Sequence, residues 1–367
     1  MLTRVSRRRL LATLVALPLA GGLAACGDDS DGDASTDATT ASGSESAEAP
    51  STEPVTLRLG FFPNITHAPA LVGVSEGIFE ETLPDNVTLE TLTFNAGPEA
   101  IEALFADSLD IAYIGPNPAI NAFAVSDGEA VRIISGSTSG GAALVVREGI
   151  ETVEQLEGTT IATPQLGNTQ DVALRSFLAD EGFTTDTSGG GDVSITPLAN
   201  ADSLAAFQAG DIDGAWVPEP FATRFQLEGG GHVLVDEGEL WPNGDYVTTH
   251  VIVRTAFLEE HPDVVEAFLR GHLAALEAIE ADEAGAQAAF NELIGELTTR
   301  PLPDEVLTTA WSNLRFTFDP IAPSLAESAA DAEAVGLLEP VDLEGIYDLS
   351  ILNEILTETG ATAVEGI

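Results

Sequence analysis

The chain has 367 residues, with 60 acidic side chains against 13 basic ones and a formal net charge of −47. Nucleic acid and anionic membrane surfaces are poor partners for such a chain, because phosphate binding needs clustered cations. Every basic side chain is an arginine, which excludes a cofactor held as a Schiff base on lysine. Acidity of this kind indicates a salty habitat, where counterions screen the repulsion between carboxylates.

The N-terminal segment has the layout of an export signal. Arginines at positions 4 and 7–9 precede an apolar run over residues 10–19, which is too short to span a bilayer. The single cysteine of the sequence, Cys26, follows Leu-Ala-Ala and resembles the lipid-attachment cysteine of a bacterial lipobox. We predict a signal peptide over residues 1–25 and a lipid anchor at Cys26 on the outer face of the cytoplasmic membrane. Sec and twin-arginine export both stay open.

Composition then divides the chain into a tether and a folded part. Residues 26–54 contain almost no large apolar side chain and predict a disordered tether. From residue 55 onward, β-rich runs alternate with helical patterns, which predicts an α/β fold with parallel sheets and helices on both faces. Strands are predicted at residues 55–62, 87–94, 110–115, 131–137, 143–147, 160–163, 193–198, 214–217, 232–235 and 248–254. Helices are predicted in the tail at residues 261–281, 284–298, 304–314 and 323–334.

An internal repeat predicts two related lobes. Residues 66–71 match residues 169–174, and residues 110–118 match residues 213–220, at nearly the same offset. We therefore expect one lobe from residues 55–145 together with 248–367, and a second lobe from residues 146–247. The helical tail is expected to pack on the first lobe.

Four loops of this pattern are candidates for a ligand site. In open α/β sheets, ligands bind at the carboxyl ends of strands, where loops lead into helix N-termini with unpaired N–H groups. If the repeat holds, equivalent loops of the two lobes face one cleft, with Asn117 opposite Glu219 and His67 opposite Gln170. Trp216 lies in a predicted strand and faces either the cleft or the core. The four loops are residues 60–67, 115–118, 135–142 and 163–171.

The motifs at residues 60–70, 113–118 and 216–220 resemble those of the substrate-binding proteins of ABC importers for sulfonates, nitrate and taurine. The resemblance implies a type II periplasmic-binding-protein fold, with a hinge crossed near Arg147 and near residues 248–250. It also implies closure around a solute that is passed to an ABC permease. Its pocket positions are Asn64, Thr66, His67, Asn117, Ser139, Gly140 and Gly141, and we add Asn168, Thr169, Gln170, Trp216, Glu219 and His250 as further ligand-binding candidates.

We therefore expect a monomeric receptor for a small organic anion, with no cofactor and no catalytic residues. A carboxylate at Glu219 would pair with the amine of taurine and repel bare nitrate, which favours an aliphatic sulfonate or taurine-like ligand. Nitrate, a thiamine-pyrimidine precursor and a sensor role without transport remain alternatives. Metal binding by His67, Glu219 and His250 is not supported by the His or Cys spacing typical of metal sites. An enzyme is not supported either, because the sequence has no Gly-x-Ser-x-Gly elbow and no cysteine nucleophile.

Overall fold

The computed structural model describes residues 53–367. The predicted signal peptide, Cys26 and nearly all of the predicted tether lie outside these residues. Within them, every run predicted as a strand is one, and a short further strand, β11, was not predicted. The strands are β1 Val55–Phe61, β2 Val87–Thr93, β3 Ile111–Ile114, β4 Val131–Gly140, β5 Ala142–Val146, β6 Thr160–Thr163, β7 Ser194–Pro197, β8 Gly214–Pro218, β9 His232–Asp236, β10 Val247–Arg254 and β11 Leu314–Phe316.

Helices fill the intervals and most of the tail. The longest, α9, begins with proline at its first position, where the missing N–H would have no intrahelical partner. The tail helices follow the predicted pattern, except that α11 ends before β11 and that α8 and α13 were not predicted. The helices are α1 Ala68–Ser75, α2 Ile78–Thr82, α3 Gly97–Phe105, α4 Pro116–Val125, α5 Thr169–Asp180, α6 Asn200–Ala209, α7 Phe221–Leu227, α8 Thr255–Glu260, α9 Pro262–Ala281, α10 Glu283–Thr298, α11 Asp304–Ser312, α12 Ala322–Ala334 and α13 Ser350–Thr359.

The strands form two sheets with the same internal plan. The first sheet has the order β11-β4-β10-β3-β1-β2, and the second has the order β7-β6-β8-β5-β9. In each, three parallel strands are followed by one antiparallel strand, which is β10 in the first sheet and β5 in the second. This shared order agrees with the internal repeat. We call each sheet with its helices a lobe, and the fold is two-lobed α/β.

The prediction of parallel sheets is wrong for the strands that follow a crossing between lobes. β5 and β10 are each the first strand after the chain enters a sheet, and both run antiparallel to their neighbours. A strand that enters at the carboxyl edge of parallel strands has to run in the opposite direction. The first crossing lies at Gly141 rather than near Arg147, because β4 of the first sheet ends at Gly140 and β5 of the second begins at Ala142. Gly141 has φ of +76°, a conformation open to glycine.

Each sheet has apolar clusters on both faces. In the first lobe, one cluster packs β1 and β10 against α1 and α9, and the other packs β3 and β4 against α3 and α4. The second lobe repeats this arrangement around Trp216 on one face and Phe225 on the other. A buried carboxylate, Asp110, sits at one end of β3, where its oxygens accept hydrogen bonds from Arg58 at 2.8 and 2.7 Å and from Arg254 at 3.1 Å.

The tail packs on the first lobe, and α12 also reaches the second. Leu325 and Ala329 of α12 belong to a first-lobe core cluster, and Ser324 Oγ accepts a hydrogen bond from Val247 N at the return crossing, 3.0 Å away. On the other side, Ser176 Oγ of α5 donates to Asp331 Oδ1 at 2.8 Å. Burial raises the pKa of Asp331, and neighbouring carboxylates raise it further. α12 therefore joins the two lobes beside the hinge.

Across residues 53–367, no helix combines the length and the apolar character that crossing a membrane requires.

Candidate ligand site between the lobes

A cavity lies between the lobes at the carboxyl ends of their parallel strands. About 40 Å³ of it is open to the centre of a water molecule, and one ordered water needs about 10–15 Å³ on that measure. The cavity therefore has room for a few waters or one compact ligand. It is lined from the first lobe by Phe62, Asn64, Thr66, His67, Asn95, Ala96, Gly97, Gly115, Pro118 and Thr248, and from the second by Pro164, Asn168, Thr169, Gln170, Asn200 and Pro218.

Five helices of the described chain begin at this cavity. They are α1, α3 and α4 of the first lobe and α5 and α6 of the second. The N–H groups of a helix's first turn have no intrahelical acceptor, and the helix dipole concentrates partial positive charge at the same end. Convergence of five such ends creates a region suited to the oxygens of an anion.

The first-lobe loop is held by its own side chains. Asn64 Oδ1 accepts hydrogen bonds from the backbone N of Thr66 at 3.1 Å and from its hydroxyl at 3.2 Å, and Thr138 Oγ1 donates to the carbonyl of Thr66 at 2.7 Å. These bonds fix the short 3₁₀ turn Ile65–His67 that leads into α1. The predicted residues Asn64, Thr66 and His67 all line the cavity.

His67 is a neutral hydrogen-bond donor in this loop. Its Nδ1 accepts from Phe62 N at 3.4 Å, so its proton is on Nε2. Burial lowers the pKa of His67 to about 3, which keeps the imidazole uncharged at neutral pH. The Phe62 ring packs against it, with the ring centroids 4.4 Å apart. Since His67 lines the cavity and is almost fully buried, a ligand can be offered an N–H group there without a formal charge.

The second-lobe loop has a matching cap at the start of α5. Asn168 Oδ1 accepts from Asp171 N at 3.0 Å, and Thr169 and Gln170 begin the helix beside the cavity. The buried Asp171 carboxylate is held by Thr163 Oγ1 at 2.8 Å and by Arg175 Nε at 3.0 Å. Its charge is therefore neutralised within the loop, and it does not line the cavity.

The two lobes touch directly at the cavity. A Cβ atom added to Gly115, which precedes α4, would clash with Thr169 Oγ1 of α5. The backbone of Gly115 is extended, with φ of −71° and ψ of 162°, so the residue is required here by space and not by its conformation. This contact identifies the described conformation as one with the lobes closed over the cavity.

Asn117 of α4, Ser139 and Gly140 of β4, and Gly141 do not line the cavity, which corrects four predictions. Asn117 donates from Nδ2 to the carbonyl of Ser328 in α12 at 3.0 Å, so its side chain points towards the tail. Ser139 and Gly140 are paired with β11 of the tail, and the space beside Gly141 is filled by Leu314. Asn117 thus contacts α12, and Ser139, Gly140 and Gly141 contact β11, a strand that was not predicted.

Three candidates from the later part of the chain are also placed elsewhere. Trp216 is fully buried in the second-lobe core and donates from Nε1 to Glu237 Oε2 at 2.6 Å, and burial raises the pKa of Glu237 to about 7. Glu219 is 1% exposed and accepts hydrogen bonds from Thr223 N at 3.0 Å and Oγ1 at 2.9 Å.

Glu219 also accepts from Asn313 Nδ2 of the tail at 2.7 Å. Its carboxylate is thus enclosed by donors of α7 and of the tail, and the predicted contact with a ligand amine is wrong. His250 lies on the α12 side of β10, where its Nε2 donates to the carbonyl of Pro320 at 3.0 Å, and burial lowers its pKa to about 4.

Several lining residues were not predicted as site residues. Asn95 precedes α3 and Asn200 opens α6, the equivalent helix of the second lobe, and both line the cavity. Gly115 follows β3 and Pro218 ends β8, the equivalent strand of the second lobe, and both line the cavity. A stricter use of the repeat would have found them, because each pair occupies matching positions in the two lobes.

The lining has an unusual electrostatic character for so acidic a protein. Among the lining residues, His67 is the sole titratable side chain, and it is neutral. No group of three or more His, Cys, Asp or Glu side chains in residues 53–367 is arranged to hold a metal ion. The cavity therefore presents hydroxyls, amides, backbone N–H groups and helix ends, with no formal charge.

Comparison with known proteins assigns this architecture. The chain is 30% identical over 202 residues to the taurine-binding periplasmic protein of Escherichia coli, covering 55% of this chain and 60% of that protein. It is 27% identical over 221 residues to a putative aliphatic sulfonates-binding protein of Bacillus subtilis, covering 58% of this chain and 62% of that one. The match thus spans about three fifths of the length of these relatives.

Solved structures show the same fold. The alkanesulfonate-binding protein SsuA from Xanthomonas axonopodis pv. citri, solved with MOPS bound, superimposes with a TM-score of 0.65 at 20% identity, covering 78% of this chain and 96% of that one. The nitrate-binding protein NrtA from Synechocystis PCC 6803 gives 0.67 at 16% identity, covering 83% and 89%. The model of the NMT1-like family matches residues 50–294. The resemblance inferred from the motifs is confirmed, and the chain belongs to the NMT1-like family.

Proposed function

We propose that this protein is an exported solute receptor that closes its two lobes over a small organic oxyanion, with a sulfonate head group as the leading candidate, and delivers it to an ABC permease. The observation that carries the proposal is the convergence of five helix N-termini on a cavity without formal charge. Relatives named as taurine-, sulfonate- and nitrate-binding proteins support the ligand class.

The acidic exterior does not prevent anion binding at such a site. One helix end stabilises a nearby anion by about 0.3–1 kcal/mol, so five ends together supply roughly 2–5 kcal/mol before any direct hydrogen bond is counted. Repulsion from surface carboxylates is screened over about 10 Å at 0.1 M salt. Two buried acids that follow lining residues in the sequence, Asp171 and Glu219, already accept hydrogen bonds from protein donors. Local dipoles therefore outweigh the distant charge.

Nitrate is the second candidate. A cavity with about 40 Å³ open to water centres accepts a four-atom anion readily, and a nitrate/nitrite-binding relative aligns with 76% of this chain at 25% identity. The loss of Glu219 from the site also removes the argument against a bare inorganic ion. A sulfonate remains first because relatives at 27–30% identity are named for taurine and aliphatic sulfonates.

Export and anchoring belong to the same proposal. The basic segment, the apolar run and the small residues before Cys26 support cleavage at residue 25 and lipid attachment to the cysteine sulfur. The receptor would then act as a monomer on the outer face of the cytoplasmic membrane. Mass spectrometry of the cell-derived protein tests the lipid on Cys26, and an unmodified Met1 would contradict it.

Calorimetric titration of residues 27–367 tests the binding function, since this range retains the compact unit Pro50–Ile367. The titrants are methanesulfonate, ethanesulfonate, taurine and nitrate. We expect saturable binding of at least one sulfonate, together with a rise in melting temperature that follows the ligand concentration. The absence of both heat and thermal shift with all four titrants would refute the proposed function.

A further inference from the structure

The amide of Asn200 stands out among the polar groups of the cavity. Asn200 is the first residue of α6 and lines the cavity from the second lobe. Its Oδ1 is buried, yet it has no hydrogen-bond partner in the part of the chain that the structure describes. A buried polar atom without a partner is costly, so a ligand that supplies the missing partner is favoured over one that does not.

The other asparagines that border the cavity have different environments. The Oδ1 atoms of Asn64 and Asn168 are already used as caps for the turns that follow them. Asn95 is solvent-exposed, so water can satisfy its amide. Of these four side chains, only Asn200 has a buried amide oxygen without a hydrogen-bond donor, so it is the one whose hydrogen bonding depends on the ligand.

The chemistry opposite Asn200 follows from the absence of charge in the lining. An ammonium group would enter a cavity whose lining residues include no carboxylate and on which five helix N-termini converge, so the partial positive charge there disfavours a cation. A methyl group would leave the amide unpaired. A hydroxyl group is uncharged and can donate, which is what the unpaired amide oxygen Oδ1 requires.

Resting on the proposed function, we propose that Asn200 is the specificity-determining residue of the second lobe and that the ligand class is hydroxyl-substituted short alkanesulfonates. The sulfonate oxygens would meet the helix ends and the uncharged donors, while the hydroxyl pairs with the Asn200 amide. A site built to pair with a hydroxyl rejects the analogue that lacks it, because the amide is then left without a partner.

Three sulfonates with the same two-carbon skeleton test this inference: 2-hydroxyethanesulfonate, ethanesulfonate and taurine. Calorimetric titration of residues 27–367 is expected to give a dissociation constant for the hydroxyl compound about tenfold below that of ethanesulfonate, as one hydrogen bond to a buried group implies. Taurine is expected to bind most weakly of the three.

Two substitutions locate the preference on one side chain. Asn200→Leu should bring the hydroxyl compound and ethanesulfonate to similar affinity, and Asn200→Asp should shift the preference towards taurine by supplying a carboxylate. Asn121→Leu is the matched control, because Asn121 is an exposed helical asparagine outside the cavity lining, and it should keep the wild-type preference.

The outcomes separate this inference from the proposed function. Equal affinity of the wild-type protein for all three sulfonates, or a hydroxyl preference that survives both Asn200 substitutions, would overturn the specificity assignment while leaving the oxyanion receptor intact. Failure of the wild-type protein to bind any of the three or nitrate would overturn the proposed function itself. If Asn200→Leu does not fold, the Asn200→Asp comparison with taurine still decides the assignment.

Discussion

Substitution of Gly115 by alanine should block closure of the lobes without damaging either lobe. The added Cβ would approach Thr169 Oγ1 more closely than the 3.0 Å that real Cβ atoms respect, and threonine is β-branched with a restricted χ1, so it does not swing aside freely. The extended backbone of Gly115 suits alanine, so the variant should fold. The effect is therefore confined to the contact between lobes.

The size of the effect follows from the cost of overpacking. An extra methyl group forced into a packed contact costs about 1–3 kcal/mol. If ligand binds the closed form, that cost appears as a dissociation constant raised about 5- to 150-fold. The stability of the unliganded protein should change little, because the open form relieves the clash.

Calorimetry with the tightest sulfonate measures this change, with Gly295→Ala as the control. A Cβ at Gly295 makes only ordinary contacts of 3.4 Å or more with Pro301, so its affinity should match the wild type. Thr169→Ala removes the clashing oxygen. Gly115→Ala should therefore weaken binding less in the Thr169→Ala protein than in the wild type. Unchanged affinity in Gly115→Ala would show that the ligand does not require the closed contact described here.

Three further predictions concern stability and closure. Glu237 has a raised folded pKa of about 7, so its protonated form stabilises the fold at low pH and this contribution is lost as the pH rises through about 7. In denaturant titrations, the free energy of unfolding of Glu237→Gln relative to that of the wild type should therefore rise by up to about 3 kcal/mol between pH 4.5 and pH 8. A difference that does not vary with pH would contradict this. Asp331→Asn keeps a hydrogen-bond acceptor for Ser176 and removes the repulsion between Asp331 and the carboxylates of Glu327 and Asp180. Because α12 joins the two lobes, weaker repulsion should favour their closure, and sulfonate affinity should rise a fewfold in calorimetry at low salt. A gain that persists undiminished at 1 M salt contradicts the electrostatic cause. Asp110→Asn leaves two arginines facing a neutral group and should lower the free energy of unfolding by about 3–5 kcal/mol in denaturant titrations. A change near zero would show that these ion pairs do not stabilise the fold.

The strands and the first-lobe loop could be predicted because their signals are local. β-rich runs bounded by glycine and proline predict strands. Asn64 and Asn168 are residues of a type that caps helix N-termini, and each precedes a helix. The direction of β5 and β10 could not be predicted, since it depends on which edge of a sheet the chain enters. That information is not contained in any single segment.

The misplaced site residues fail for a related reason. Glu219 lies between a strand and a helix, where a residue facing the cleft is expected. Its partner Asn313, however, lies 94 positions further along the chain. Asn117 likewise pairs with Ser328, 211 positions away. Side chains that meet the distant tail could be placed only after β11 and α12 were seen to return over the loops.

The uncharged lining has a consequence for the chain's chemistry with its surroundings. Buried dipoles are screened by salt much less than exposed ions are, so the contacts that hold the ligand depend little on the ionic composition outside. Surface carboxylates can then increase in number, which favours hydration and solubility, without changing the cavity. The surface charge and the ligand specificity are therefore free to evolve independently.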